Sequence, residues 1–70
     1  MSTPRLWIRA TGESSRTGTL HETEQSCATA NGGKRDIRTW MRSLSVASAE
    51  VSTHTDDGRV LSTWKETVRL

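Results

Sequence analysis

The 70-residue chain has no Phe and no Tyr, and it has one Cys and one Pro. With Cys27 alone, no intrachain disulfide can staple the fold, which argues against a small secreted, disulfide-framed domain. The only Asn, Asn31, precedes Gly-Gly, so no N-glycosylation sequon exists. No apolar run is long enough for a secretory signal or a bilayer span. These shortages set the expectation of a reduced, intracellular and cytoplasmic setting, with no membrane partner. Leu, Ile and Val together number 11, against 20 Ser plus Thr. A core this thin nets only about 3–5 kcal/mol without a metal, a disulfide or oligomerisation. Partial disorder or self-association is therefore compatible with the composition. Yet the net charge is only +2, so the combination of low hydrophobicity and high charge that marks a disordered chain is incomplete.

Three Trp residues are the main apolar asset, each able to bury about 150–250 Å². The strongest pattern runs from Arg35 to Val51. Ile37, Trp40, Met41 and Leu44 recur at i, i+3, i+4 and i+7, which puts them on one side of an α-helix. Asp36 suits an N-cap, and the pattern fades near Leu44 or Ser45. Upstream, Leu6, Ile8 and Ala10 alternate with Arg5, Trp7 and Arg9, as in a short strand. Residues 11–18 read as a turn. Residues 19–24 form a second, edge strand or coil, with Leu20 as its one good apolar residue. Asn31-Gly32-Gly33 is the sharpest break in the chain, and a connection is expected there.

The C-terminal third carries the second clear signal. Asp57-Gly58 suits a two-residue hairpin turn. That turn pairs Asp56 with Arg59, Thr55 with Val60, Thr53 with Ser62, Val51 with Trp64 and Glu50 with Lys65. Cross-strand pairs of opposite charge, or of an aromatic with a β-branched residue, each add about 0.2–1 kcal/mol. In this register Val60, Trp64, Val68 and Leu70 share one face. A helical reading of residues 64–70 competes, because Thr63-x-x-Glu66 fits a capping box; the Thr and Val content favours strand. The sequence thus predicts one small α+β domain over residues 1–70. It has a short antiparallel sheet, a C-terminal β-hairpin and one amphipathic helix, in the order β(β)αββ, with residues 1–4 and 25–34 flexible.

Catalytic and metal motifs fail at diagnostic positions. His21-Glu22-Thr23-Glu24-Gln25 begins like a zinc-protease motif but has Gln25 where the second His must stand. Ala28 to Arg35 imitates a phosphate-binding loop but has Ala28 in place of Gly and Arg35 in place of Ser or Thr. The expectation is therefore a non-enzyme with no metal and no cofactor. One cluster remains. Lys34, Arg35, Arg38 and Arg42 cluster within nine residues, with Arg35, Arg38 and Arg42 on the helix side away from the apolar stripe, and Arg5 and Arg9 flank Trp7 on one strand face. Arginine forks match phosphate, and an exposed Trp can stack on a base. These seven residues are the candidate anion- or nucleic-acid-binding set. The functional expectation is a small binding module for RNA, DNA or another acidic partner. The alternatives are an accessory polypeptide that pairs with a protein or with itself, and an incidental reading frame without a defined activity.

Overall fold

The computed structural model describes residues 5–70, so residues 1–4, expected to be flexible, lie outside the described part. The elements are β1 (Leu6–Glu13), β2 (Leu20–Cys27), α1 (Ala30–Ser43), β3 (Ser48–Thr55) and β4 (Val60–Thr67). The strands form one antiparallel sheet in the order β2-β1-β3-β4. The fold is α+β, ββαββ, with the helix on one sheet face. The strand reading of the C-terminal third is correct through Thr67, and Val68 N–H extends it with a bond to the Ala47 carbonyl at 2.9 Å.

β1 alternates as its sequence predicts. Ile8 and Ala10 are fully buried against the helix, while Arg9 is exposed on the open face. The strand runs further than Ala10, however. Gly12, expected in a turn, pairs with His21 on one side and Ala49 on the other. The reason is steric. A Cβ on Gly12 would stand 2.5 Å from Val46 Cγ1 and 2.9 Å from the Ser48 carbonyl oxygen. Only glycine lets the chain entering β3 cross so close to β1. β2 is an edge strand whose eight residues all pair with β1. Its few apolar residues suffice because only one of its edges pairs and none of its residues is fully buried.

The helix begins earlier than the sequence suggests. Thr29, not Asp36, is the N-cap; it is extended, and its Oγ1 accepts the Gly32 N–H at 3.0 Å. Asn31, Gly32 and Gly33 are therefore the first helical turn rather than a connection. Residues 25–34, expected as a flexible link, divide between β2 and α1, with only Ala28 and Thr29 between those elements. Each helical glycine costs about 1 kcal/mol in propensity. Packing overrides that cost at Gly33, which is buried where a Cβ would lie 2.7 Å from Cys27 Sγ. Further along, Ile37 and Met41 are fully buried, and Trp40 and Leu44 pack half-buried at the edge of the core.

The helix ends where the apolar stripe stops. Leu44 is the C-cap, Ser45 has φ +58°, and two bonds close the end: Ser45 N–H to Arg42 carbonyl (3.3 Å) and Val46 N–H to Met41 carbonyl (2.8 Å). This is the Schellman arrangement, with serine in the left-handed position that glycine usually takes. It turns Val46 into the core, where it is fully buried. The Ser45 carbonyl then accepts Ser15 N–H at 2.8 Å, tying the helix end to the β1–β2 turn.

The hairpin keeps the predicted pairs Thr53–Ser62, Val51–Trp64 and Glu50–Lys65 but not Asp56–Arg59 or Thr55–Val60. Its loop has three residues. Gly58 N–H bonds the Thr55 carbonyl at 2.9 Å, Gly58 takes φ +87°, and Thr55 N–H bonds the Arg59 carbonyl at 3.0 Å. Val60 then faces His54, and the register shift between Thr53 and His54 restores the inner pairs. That shift moves Val60 to the open face, away from Trp64, contrary to the simple alternation. The core is Ile8, Ala10, Ile37, Met41, Val46, Ala49 and Val51, with Trp64 and Val68 packed against its rim.

Two substitutions test this packing by urea unfolding. Gly12→Ala is expected to lower stability by about 1–3 kcal/mol, because the added methyl collides with Val46 and backbone; an unchanged midpoint would contradict the close crossing. Ser45→Gly is expected to raise stability by about 0.5–1 kcal/mol by relieving the left-handed serine; destabilisation would contradict it.

Candidate nucleic-acid interface

The seven candidate residues divide between opposite sides of the molecule. Lys34, Arg35, Arg38 and Arg42 lie on α1, whose apolar side covers the sheet, and they line one shallow depression with Asn31 and Thr39. Helical spacing produces this: positions 31, 35, 38 and 42 fall at i, i+4, i+7 and i+11. Arg35 and Arg42 are exposed, with no ion-pair partner among the described residues. Arg42 in the last turn also complements the negative end of the helix dipole.

Lys34 and Arg38 stand at the edge of that surface and are engaged. Lys34 Nζ lies 3.9 Å from Glu66 Oε2, and Arg38 Nη1 lies 3.7 Å from Glu66 Oε1. Glu66 projects from β4 on the helix side, and its side chain is only 7% exposed. It accepts a hydrogen bond from Trp64 Nε1 at 3.0 Å. Alternation from Trp64 already places residue 66 on the inner face, so an inward-pointing carboxylate was legible in the sequence. Its partners were not, because they come from an element more than twenty residues upstream. Asp36, by contrast, lies towards β2, where it and burial push the Cys27 thiol up from its ordinary range, burial being the larger cause.

Arg5, Trp7 and Arg9 sit on the open face of the sheet, and each has a partner. Arg5 Nη1 donates to Ser26 Oγ at 2.7 Å, Trp7 Nε1 donates to Asp56 Oδ1, and Arg9 Nε pairs with Glu24 Oε2 at 3.4 Å. His54 Nε2 lies 3.7 Å from the same Glu24 oxygen. By register, Glu13, Glu22, Glu24 and Glu50 share this face with Arg9 and Lys65. Carboxylates outnumber the strand cations there, so this face opposes phosphate. The set proposed from sequence thus splits into a basic helix surface and a mixed-charge sheet surface on opposite sides of the sheet. His21 and Cys27 point to the helix side of β2 and His54 to the open side, so the three soft ligands do not converge. Among the described residues, no helix is long and apolar enough to cross a membrane.

No family model, curated protein or solved structure matches the chain. The functional reading therefore rests on the geometry.

The hairpin loop that supplies Asp56 to Trp7 is itself shaped by Asp57. Thr55 Oγ1 donates to Asp57, and Arg59 N–H donates to its Oδ1 at 3.3 Å. These two donors, the hydroxyl first, hold the Asp57 carboxyl below its ordinary value of 3.8. A lowered folded value means that its support of the loop is complete above the unfolded value and is lost as pH falls through the folded one. In an NMR pH titration, the Thr55 and Arg59 amides should therefore shift with a midpoint below the ordinary value of 3.8. Movement centred above that value would contradict the bonding.

Proposed function

We propose that the chain is a non-catalytic binding module whose helix face contacts the phosphate backbone of a nucleic acid. The observation that carries this reading is the exposed pair Arg35 and Arg42, one face of α1 with Lys34 and Arg38 beside them. Guanidinium groups make paired, charge-assisted bonds to phosphate oxygens. Two arginines on a helix surface touch few phosphates and read no bases, so the reading is of weak, sequence-tolerant binding. The sheet face is left out of it, because Glu24 and Asp56 occupy the groups that would stack or pair there. An intracellular, reducing location accords with Cys27 remaining a free thiol.

A second reading has its own observation. Leu20, Val60, Leu61 and Leu70 are exposed, and β2 and β4 are open sheet edges. Such edges pair with other strands unless blunted. The irregularity near Val60 and the glutamates of β2 blunt both edges in part, which ranks this reading second.

Fluorescence anisotropy with a short labelled duplex separates the two. Nucleic-acid binding should weaken with salt at a log–log slope of about −2 to −3, consistent with two or three neutralised phosphates. Arg35→Gln with Arg42→Gln should flatten that slope by about 2. Salt-independent binding, or none, together with a mass that doubles as concentration rises, would replace this reading with strand-edge association.

A further inference from the structure

The helix surface contains a carboxylate at the very place where two of its cations would meet phosphate. Glu66 is buried beneath Lys34 and Arg38, whose side chains remain 48% and 43% exposed. The cations are therefore reachable from solvent on one side and paired on the other. Both separations, 3.9 and 3.7 Å, are ion-pair distances rather than short hydrogen bonds, so neither cation is locked. The one side-chain hydrogen bond to Glu66 among the described residues comes from Trp64 Nε1.

We propose that Glu66 is an internal competitor for phosphate, which lowers the affinity of the helix face by holding Lys34 and Arg38. This rests on the reading of that face as a phosphate-binding surface. The physical reason is the cost of an unpaired buried charge. A phosphate that draws Lys34 and Arg38 outward leaves the Glu66 carboxylate buried with a single indole donor. A phosphate that binds without drawing them out still feels the negative charge behind them. Arg35 and Arg42 carry no such cost, because no carboxylate lies within ion-pair distance of them among the described residues. Two of the four cations thus act fully and two are restrained, so the surface is graded along its width. Glu66 sits near the end of β4, so any event that displaces that strand end would release the restrained pair.

The test is a double-mutant comparison by anisotropy with the same labelled duplex. Glu66→Gln keeps an acceptor for Trp64 and removes the charge. It is expected to tighten binding about three- to tenfold at low salt and to steepen the salt slope by about 1, as released cations reach phosphate. In the unaltered chain, Arg38→Gln should weaken binding less than Arg42→Gln; with Glu66→Gln present, the two losses should become similar. Equal or weaker binding by a folded E66Q chain would overturn the proposal and leave the phosphate-binding reading standing, because Arg42→Gln would still reduce affinity. If E66Q fails to fold, the comparison within the unaltered chain decides: an Arg38→Gln loss as large as that of Arg42→Gln overturns the competitor role. No binding by either the unaltered chain or the E66Q chain overturns both readings.

Discussion

At Gly33 the helix comes so close to the sheet that a Cβ would stand 2.7 Å from Cys27 Sγ and 3.4 Å from Ile8 Cδ1. Most of the fold follows from that approach. With seven buried apolar residues among those described, two of them alanine, the core has little bulk with which to fill a wide gap. It must instead bring its layers together closely, and glycine at the contact is how it does so. Gly12 plays the matching part at the other end of the core, where the exit from the helix crosses β1. Val46 fits into the space that Gly12 leaves, and it reaches that space because Ser45 accepts a left-handed backbone. Thin composition and close packing are thus one constraint seen from two sides.

The same economy shapes the electrostatics. A strand long enough to complete the sheet must turn alternate residues inward, and at the end of β4 that residue is Glu66. Burial of a carboxylate is tolerated only with partners, and Lys34 and Arg38 lie one helical turn apart at the nearest helix edge. Trp64 adds a donor and covers the uncapped rim of the core. The basic surface is therefore not a uniform patch. Its outer half faces solvent freely, and its inner half is part of what joins β4 to the helix. The open sheet face divides in a similar way, with Trp7 and Arg9 held by Asp56 and Glu24.

Local pattern carried a good part of this. The alternation of Leu6, Ile8 and Ala10, the stripe of Ile37, Trp40, Met41 and Leu44, and the inner pairs of the hairpin are all readable from spacing alone. The errors share a cause. Asn31-Gly32-Gly33 resembles a break because these residues tolerate positive φ, and Gly12 resembles part of a turn because the polar cluster around it has nothing to bury. In both places the residue is small in order to admit another element, and that element is far away in sequence. Asp36 suits a helix start because it precedes the apolar stripe, yet the Thr29 hydroxyl oxygen accepts the Gly32 N–H and starts the helix before the glycines. At Val60 a three-residue loop replaced a two-residue one, and strict alternation then assigned the wrong face.

Spacing along the chain sets the class of the fold, the amphipathic helix with its basic outer side, and the hairpin register around Val51 and Trp64. These depend on the repeat distances of strands and helices, which act between near neighbours. Long-range packing sets where the helix begins, that Arg5, Trp7 and Arg9 lie on the far side from Lys34, Arg35, Arg38 and Arg42, and that Lys34 and Arg38 answer to a buried carboxylate. Those outcomes depend on steric fit and charge pairing between residues that meet only once the sheet has closed and the helix has settled on it.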